Sequence, residues 1–378
     1  MKILVVGINT RPVVNSAKRL GYKVYSVSYY NPVDLDADVR DYFISDTYHG
    51  RFSENYDSRK LINCAEKYVD EVDYIFICSG VFECENSKTP NWNVAGNLPK
   101  KIKRLSNKYY IMKKLENLGC PIPETHIAYN YQQLDRYLQE YNKVVVKPIY
   151  GHGGMGVHTI SLNMSDDKHS SLLKNLKYPC LVQEYIPSES FSASYLGREF
   201  ITFNKQIIKN NNYSGCITPY NLDNLLDVGY TIKLFEDIVD FFDLEGMNGI
   251  DFMIKNGLPV VVEINPRIPG TFETVEMALQ CNLVRCIIEN VEGCRNPLKI
   301  GSARQYIKKI LFADSKVTSY IRKSGNIVDV PKYGAVIEKG EPLTTVIGRD
   351  MKEVKNTVKE ISKMVIPWSQ VRKNYTKC

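Results

Sequence analysis

The sequence predicts a mixed α/β protein with an N-terminal parallel sheet, a two-lobed α+β unit and a small C-terminal β-rich segment. In residues 1–100, apolar strand-like runs alternate with helix-like segments, which is typical of parallel strands covered by helices. Beyond residue 100 the strands come in neighbouring pairs, and residues 248–266 are predicted to form a hairpin that turns at residues 255–257. We therefore expect units at residues 1–100, 101–300 and 301–378, with lobes of about 101–180 and 181–300 in the second.

The first unit alternates strands and helices in a regular order. Strands are predicted at residues 2–8, 23–30 and 72–80, and helices at residues 11–21 and 58–71. Only Gly7 follows the first strand, where a dinucleotide fold needs G-x-G-x-x-G, so NAD binding is disfavoured. Ligands of parallel sheets bind beyond the carboxyl ends of the strands, so residues 9–11 and 78–83 are either substrate contacts or ordinary loop residues.

The remaining elements follow from the same periodicities. A cationic run at residues 99–114 is interleaved with apolar side chains and predicts a helix with a solvated charged face. Further helices are predicted at residues 108–118, 132–141, 230–243 and 351–365. Strands are predicted at residues 143–149, 179–187, 192–197 and 199–208, with short strands within 331–347.

Composition limits the function classes. The chain has 378 residues and a net charge of +7, which is mild and favours a small anionic substrate over a nucleic acid. None of the ten cysteines forms a C-x-x-C pair and histidine is scarce, so a zinc site is disfavoured. The sequence has no signal-peptide pattern and no apolar run of ~18 residues, so we expect a cytoplasmic protein with no membrane or nucleic-acid partner.

A glycine-rich loop follows an apolar strand in the segment VVVKPIYGHGGMG, residues 144–156. Backbone N–H groups can surround a polyphosphate only where side chains are absent, and Lys147 adds a fixed cation at the strand end. The loop therefore predicts a flap over a nucleotide triphosphate, formed by Gly151, Gly153, Gly154 and Gly156. It is not a P-loop, since no G-K-[ST] follows, and a plain turn between two strands is the alternative.

The predicted hairpin at residues 248–266 carries the second group of candidates. Glu263 and Asn265 are two residues apart on one strand and face the same side, and Asp251 can lie opposite them on the other strand. These side chains supply only oxygen ligands, as magnesium requires, and Arg267 places a permanent cation beside them. The alternatives are that Asp251 caps a turn and that Glu263 forms a salt bridge with Arg267.

The strand LVQEYIP lies between these two groups in the sequence. Its end can offer backbone N–H and C=O groups to the edge of an adenine. Gln183 or Glu184 would then meet the exocyclic amine, and the N–H of Ile186 would meet the ring. Glu189 could accept from the ribose hydroxyls, and the alternative for it is an ordinary surface carboxylate.

Taken in chain order, these segments resemble the ATP-grasp superfamily over about residues 1–300, as a pre-ATP-grasp domain followed by a two-lobed ATP-grasp domain. The resemblance rests on Lys108, the glycine-rich segment, LVQEYI and IDFM…VVVEINPR. It implies that Lys108 and Lys147 contact the phosphates of ATP and that residues 151–156 form a mobile flap. It implies that adenosine is contacted by Gln183, Glu184, Ile186 and Glu189. It implies that Mg²⁺, with Mn²⁺ as the alternative, is bound by Asp251, Glu263 and Asn265, and that Arg267 steadies an acyl-phosphate. The family often has Glu where this chain has Asp251.

Within the superfamily the chain resembles an archaeal group of predicted ATP-dependent carboligases related to biotin carboxylase, through residues 7–22, 213–221 and 334–347. The resemblance implies a carboxylate–amine ligase with Lys147 and Arg267 as catalytic residues, with coenzyme biosynthesis as one context. Two alternatives stay open: a bicarbonate-activating carboxylase that uses a separate biotin carrier, since no Met-Lys-Met acceptor is present, and a nucleotide-binding regulatory protein. A homodimer is one expectation for assembly, and residues 79–83, 213–220 and 268–271 are the expected substrate-facing segments.

Overall fold

The computed structural model describes residues 1–164, 176–294 and 304–370. Its N-terminal sheet has four parallel strands in the order β3-β2-β1-β5. Alternate residues of β1 pack on opposite faces, Ile3 and Val5 with one core cluster and Leu4 and Val6 with another. The elements are β1 (Lys2–Gly7), α1 (Arg11–Lys18), β2 (Lys23–Ser28), β3 (Val39–Tyr42), β4 (Tyr48–His49), α2 (Phe52–Asn55), α3 (Ser58–Ala65), a 3₁₀ turn (Val69–Glu71) and β5 (Tyr74–Ile77).

A second, antiparallel sheet has the strand order β6-β9-β7-β8 and is covered by α6. The single helix predicted over residues 99–114 is wrong, because the chain breaks between α4 and α5. Asn107 accepts a hydrogen bond from Tyr110 N at 2.9 Å and so starts a new helix. The elements are α4 (Pro99–Leu105), α5 (Lys108–Asn117), β6 (Thr125–Ala128), α6 (Tyr131–Tyr141), β7 (Lys143–Pro148), β8 (His158–Ser161) and β9 (Cys180–Glu184).

The largest sheet has eight strands in the order β14-β13-β10-β11-β12-β15-β19-β17. It is antiparallel throughout and includes the predicted hairpin, which turns at residues 255–257. Three strands from beyond residue 300 extend it, so the C-terminal segment continues this sheet; the expected boundary at residue 300 lies outside the described residues. The elements before that boundary are β10 (Ser190–Leu196), β11 (Glu199–Lys209), β12 (Asn212–Thr218), α7 (Val228–Phe241), β13 (Met247–Lys255), β14 (Leu258–Asn265), α8 (Phe272–Leu279) and α9 (Leu283–Val291).

A small fourth sheet joins the two ends of the chain. β4 from the N-terminal unit pairs in parallel with β18, in the order β20-β16-β18-β4. No helix in the described ranges is long and apolar enough to cross a membrane. The fold-class prediction is confirmed. The C-terminal elements are β15 (Tyr306–Phe312), β16 (Val317–Ser319), β17 (Ile327–Val328), β18 (Val336–Ile337), β19 (Pro342–Gly348), α10 (Met351–Lys363) and β20 (Val365–Pro367).

Candidate active site

A cavity of about 730 Å³ lies between the second sheet and the eight-stranded sheet, beneath the glycine-rich loop. Its wall includes side chains from both sheets and from the loop that follows β14. The structure brings to this one cavity all but one of the site residues predicted from the sequence, which are Lys108, Lys147, Gly151, Gly153, Gly154, Gln183, Glu184, Ile186, Glu189, Asp251, Glu263, Asn265 and Arg267. Gly156 belongs to the same loop but does not line the cavity.

The two hairpin carboxylates face each other across the ladder. Asp251 on β13 is the direct antiparallel partner of Glu263 on β14, and the register shifts by a bulge just after Asp251. Asn265 lies two residues beyond Glu263 and donates its Nδ2 to Asp251 Oδ2 at 3.0 Å. The hairpin register thus gathers two carboxylates and one amide on one face of the sheet, as the sequence predicted.

Two buried lysines neutralise this acidic group. Lys108, in the first turn of α5, lies with Nζ 2.5 Å from Glu263 Oε1 and donates to the carbonyl of Gly151 at 3.0 Å. Lys147, at the end of β7, donates to the carbonyl of Val262 at 3.4 Å. Both ammonium groups are buried in the cavity wall, so they provide fixed positive charge between the flap and the carboxylates.

The electrostatics separate the two carboxylates. Burial and the nearby Glu263 raise the pKa of Asp251 from 3.8 to about 7. Burial alone would also raise the pKa of Glu263, but Lys108 and Lys147 outweigh it and hold that pKa below its ordinary value. Burial lowers the pKa of Lys147 to about 8. Glu263 is therefore the anionic member of the pair, while Asp251 titrates near neutrality.

Arg267 is held in place by a buried carboxylate. Its Nε donates to Glu83 Oε1 at 2.6 Å, and its terminal nitrogens donate to Asn265 Oδ1 at 3.0 Å and to the carbonyl of Ile268 at 3.2 Å. Glu83 also accepts from the N–H of Gly80 at 2.8 Å. The alternative that Arg267 pairs with Glu263 is not what the structure shows. Arg267 instead links the N-terminal unit to the acidic hairpin.

The glycine-rich loop is folded against the eight-stranded sheet. All four of its glycines have positive φ angles. A Cβ added to Gly154 would lie 2.1 Å from the carbonyl oxygen of Asn211, at the tip of the β11–β12 hairpin. Tyr213 N donates to the carbonyl of Gly153 at 3.4 Å. The loop therefore covers the cavity and rests on backbone that only a glycine can approach so closely.

The strand predicted to meet adenine lines one wall of the cavity, with its polar side chains already engaged. Gln183 donates its amide to Thr125 Oγ1 at 2.8 Å. Glu184 Oε2 lies 2.7 Å from Lys255 Nζ, while Ile186 is buried at the strand end. These contacts hold the side chains of Gln183 and Glu184 apart, and the end of the strand borders the cavity.

Three residues of the cavity wall were missed by the sequence analysis. Lys205 on β11 forms an ion pair with Glu189, next to the expected ribose position. Gln206 follows it, and its side chain lies near enough to Asp251 to lower the pKa of that carboxyl in part. His152, within the glycine loop, is buried with its ring 5.7 Å from that of Tyr56. The alternation along β11 gave no sign of Lys205, because an ammonium on a strand normally indicates a solvent face.

The donor set fits a magnesium site. Asp251 and Glu263 offer carboxylate oxygens on one face of the hairpin, the chemistry that Mg²⁺ prefers, and Asn265 beside them adds an amide oxygen if its side chain turns over. Burial, and then the neighbouring Glu263, raise the pKa of Asp251, and a bound divalent cation would oppose both effects by favouring the ionised carboxylate. In the described ranges there is no cluster of three or more His, Cys, Asp or Glu side chains suited to a metal, so the third ligand here would be the amide oxygen of Asn265.

A two-lobed α+β fold that closes a glycine loop over a cavity between its sheets is the ATP-grasp class of architecture. The sequence profile of the ATP-grasp domain matches residues 105–271. Over 363 residues the chain is 51% identical to an uncharacterised protein of Methanocaldococcus jannaschii, covering 95% of this chain and 91% of that protein. The chain belongs to the ATP-grasp family, which confirms the resemblance read from its motifs.

Solved structures share the fold over nearly the whole chain. Phosphoribosylamine–glycine ligase from Thermotoga maritima superposes with a TM-score of 0.68 at 16% identity, covering 97% of each chain. The biotin carboxylase domain of 2-oxoglutarate carboxylase from Hydrogenobacter thermophilus, in complex with MgADP and bicarbonate, gives a TM-score of 0.67 at 18% identity, covering 92% of this chain and 86% of that one. One is an amine ligase and the other a carboxylase, so the shared fold leaves the reaction open.

Proposed function

We propose that the protein is an ATP-dependent ligase that activates a carboxylate as an acyl-phosphate and couples it to an amine, releasing ADP and phosphate. The observation that carries the proposal is the direct pairing of Asp251 with Glu263 beside Lys108 and Lys147, all under one glycine flap. A triphosphate and a divalent cation need this combination of oxygen ligands and buried ammonium groups. Family membership and the fold support ATP and Mg²⁺ as the cofactors.

The buried lysines would neutralise the phosphates of the nucleotide. Lys108 and Lys147 lie between the flap and the acidic hairpin, where a triphosphate would pass. In the structure Lys108 contacts Glu263, so nucleotide binding would divide its ammonium between the carboxylate and a phosphate oxygen. Asp251, Glu263 and Asn265 would hold Mg²⁺, which supplies further neutralisation of phosphate charge when it is bound.

Arg267 would act at the reacting carbon. Its guanidinium is fixed by Glu83 and Asn265, so one planar cation is presented next to the metal ligands without freedom to turn away. Charge develops on the acyl-phosphate and on the tetrahedral carbon during amine attack, and a preorganised cation stabilises both. The closed flap would exclude water, which otherwise hydrolyses an acyl-phosphate.

The reaction is tested by ADP release from MgATP with panels of carboxylates and amines, and with bicarbonate alone. Release that requires both a carboxylate and an amine, together with a product containing the new amide, supports the ligase. Release with bicarbonate alone identifies a carboxylase and overturns the proposal. Tight ATP binding without release under any panel identifies a regulatory protein and overturns it equally.

A further inference from the structure

A second cavity, of about 480 Å³, lies next to the first, between the N-terminal sheet and the C-terminal strands. The two cavities share part of the flap, the start of β12 and the loop after β14, through Gly153, Tyr213 and Gly270 respectively. Its far wall is built from α2 and from the start of β19. A molecule in the second cavity therefore borders the place where the acyl-phosphate would form.

One part of the wall of this cavity is aromatic. Tyr30 and Phe52 are stacked with ring centroids 6.0 Å apart and planes 8° apart, and Phe312 lines the same space. Phe52 in turn stacks on Tyr56 at 5.0 Å, and Tyr56 meets His152 of the flap edge-on at 5.7 Å. A continuous row of rings thus runs from the second cavity to the flap, and it suits a flat or apolar molecular body.

The charges in the wall are balanced except at one position. Lys308 donates to the carbonyl of Gly270 at 3.3 Å and lies 3.7 Å from a carboxylate oxygen of Glu273. Asp329 is paired with Arg11 at 2.7 Å. Lys308 and Asp329 are therefore each already paired with a group of opposite charge.

Glu341 is the exception. Its Oε1 accepts from the N–H of Phe52 at 2.9 Å, but no Lys, Arg or His nitrogen lies within 4 Å of it in the described ranges. Burial raises the pKa of its carboxyl, because nothing opposite in charge compensates for lost water. Asn31 in the same wall donates its Nδ2 to Asp46 at 3.2 Å, and its Oδ1 is enclosed by protein, so Glu341 is the acidic group that faces the cavity without a cationic partner.

We infer that the second cavity takes the amine substrate, and that this substrate is an organic ammonium with an aromatic or other flat apolar body and no carboxylate of its own. Glu341 supplies the acceptor for the ammonium hydrogens, and the rings of Tyr30 and Phe52 supply apolar surface. An amino acid would bring a carboxylate towards an uncompensated acid, which is unfavourable. This assignment rests on the proposed ligase function for its reaction, but not for its binding chemistry.

Binding is measured by calorimetry on the full chain without nucleotide, using three probes with one body: 4-phenylbutylamine, 4-phenylbutan-1-ol and 4-phenylbutyrate. The amine is expected to bind roughly ten-fold tighter than the alcohol, and the carboxylate more weakly than either. Glu341→Gln keeps the shape and the contact with Phe52 N, so it should reduce amine affinity to that of the alcohol. Glu54→Gln, an exposed carboxylate on α2 outside the cavity wall, is the matched control and should change nothing.

A second variant guards against misfolding of the first. Phe52→Leu removes the stacked ring but no charge, and it should weaken the amine and the alcohol alike. Equal binding of 4-phenylbutyrate and 4-phenylbutylamine, or an amine affinity that Glu341→Gln leaves unchanged, overturns the inference. Amine binding without amine-dependent ADP release would leave this cavity assigned and the ligase proposal refuted. ADP release that amino acids stimulate and that Glu341→Gln leaves unchanged would support the ligase proposal and refute the assignment of this cavity.

Discussion

Asp251 and Glu263 are direct partners across an antiparallel ladder, yet their surroundings shift their pKa values in opposite directions. Lys108 and Lys147 lie on the Glu263 side, so Glu263 stays ionised and leaves Asp251 with an anionic neighbour. The pair is thus asymmetric before any ligand binds. A divalent cation between the two carboxylates would remove their mutual repulsion, so this strand register suits metal binding as well as packing.

Glu263→Gln should abolish turnover while leaving the fold intact. The substitution keeps the size of the side chain but removes the anion that pairs with Lys108 and that would bind Mg²⁺. We expect ADP release to fall by about 10²-fold or more. Steady-state kinetics measures the loss, and calorimetry measures the affinity for Mg²⁺. Glu116→Gln, at an exposed site on α5, is the control; wild-type turnover in Glu263→Gln would remove the metal assignment.

The pKa of Asp251 predicts how the stability of the metal-free protein varies with pH. A carboxyl whose pKa is about 7 when folded and 3.8 in the reference state binds more protons in the folded protein between these values. The free energy of unfolding therefore falls as the pH rises from about 4 to about 7 through this group. Asp251→Asn removes this pH-dependent loss of stability. It should therefore raise Tm, relative to the wild type, more at pH 8 than at pH 5 when both proteins are measured in EDTA.

The control for this pH dependence is Asp237→Asn, at an exposed helix position paired with Lys233. Its effect on Tm should be the same at both pH values. A difference between Asp251→Asn and the wild type that is constant with pH, or larger at pH 5, would show that Asp251 is ionised at neutral pH in the folded protein.

Local sequence patterns were sufficient to predict the centre of the site. The period-2 alternation of β14 places Glu263 and Asn265 on one face, and the short turn at residues 255–257 fixes the register that brings Asp251 opposite. The run of glycines after a strand-end lysine likewise predicted a loop over the nucleotide site, and the structure places that loop over the cavity. These features depend on neighbours within about twenty residues, which a single sequence displays.

Contacts between segments that are far apart in the sequence could not be predicted from such local patterns. Arg11 was a candidate for substrate contact, but its guanidinium is buried against Asp329 and Glu273, more than 250 residues away. The C-terminal strands extend the eight-stranded sheet, and Glu341 reaches α2 of the N-terminal unit. Nothing in the spacing near Arg11 or Glu341 indicates these partners, because charge pairing between remote segments leaves no local periodicity.

The flap predicts a contrast between two neighbouring glycines. Gly154→Ala would place a Cβ 2.1 Å from the Asn211 carbonyl and would keep a positive φ, so the flap must lift off the β11–β12 hairpin. Gly153→Ala shares the positive φ but meets nothing within 4 Å. We expect KM for ATP to rise roughly ten-fold in Gly154→Ala and by only a small factor in Gly153→Ala. Equal kinetics in the two variants would contradict a closed flap that rests on Asn211.

Glu83 predicts a separation between nucleotide binding and chemistry. Its carboxylate accepts hydrogen bonds from Arg267 Nε at 2.6 Å and from Gly80 N at 2.8 Å, and neither donor is a predicted ATP-binding residue. Glu83→Gln retains the shape but leaves the buried guanidinium without its ion pair, so Arg267 loses its fixed direction. We expect kcat to fall by about ten-fold or more, with the calorimetric Kd for ATP nearly unchanged, because Lys108 and Lys147 are untouched. Glu85→Gln, an exposed neighbour, is the control and should keep wild-type kcat. A parallel loss of ATP affinity and kcat in Glu83→Gln would place Arg267 on the nucleotide rather than at the reacting carbon.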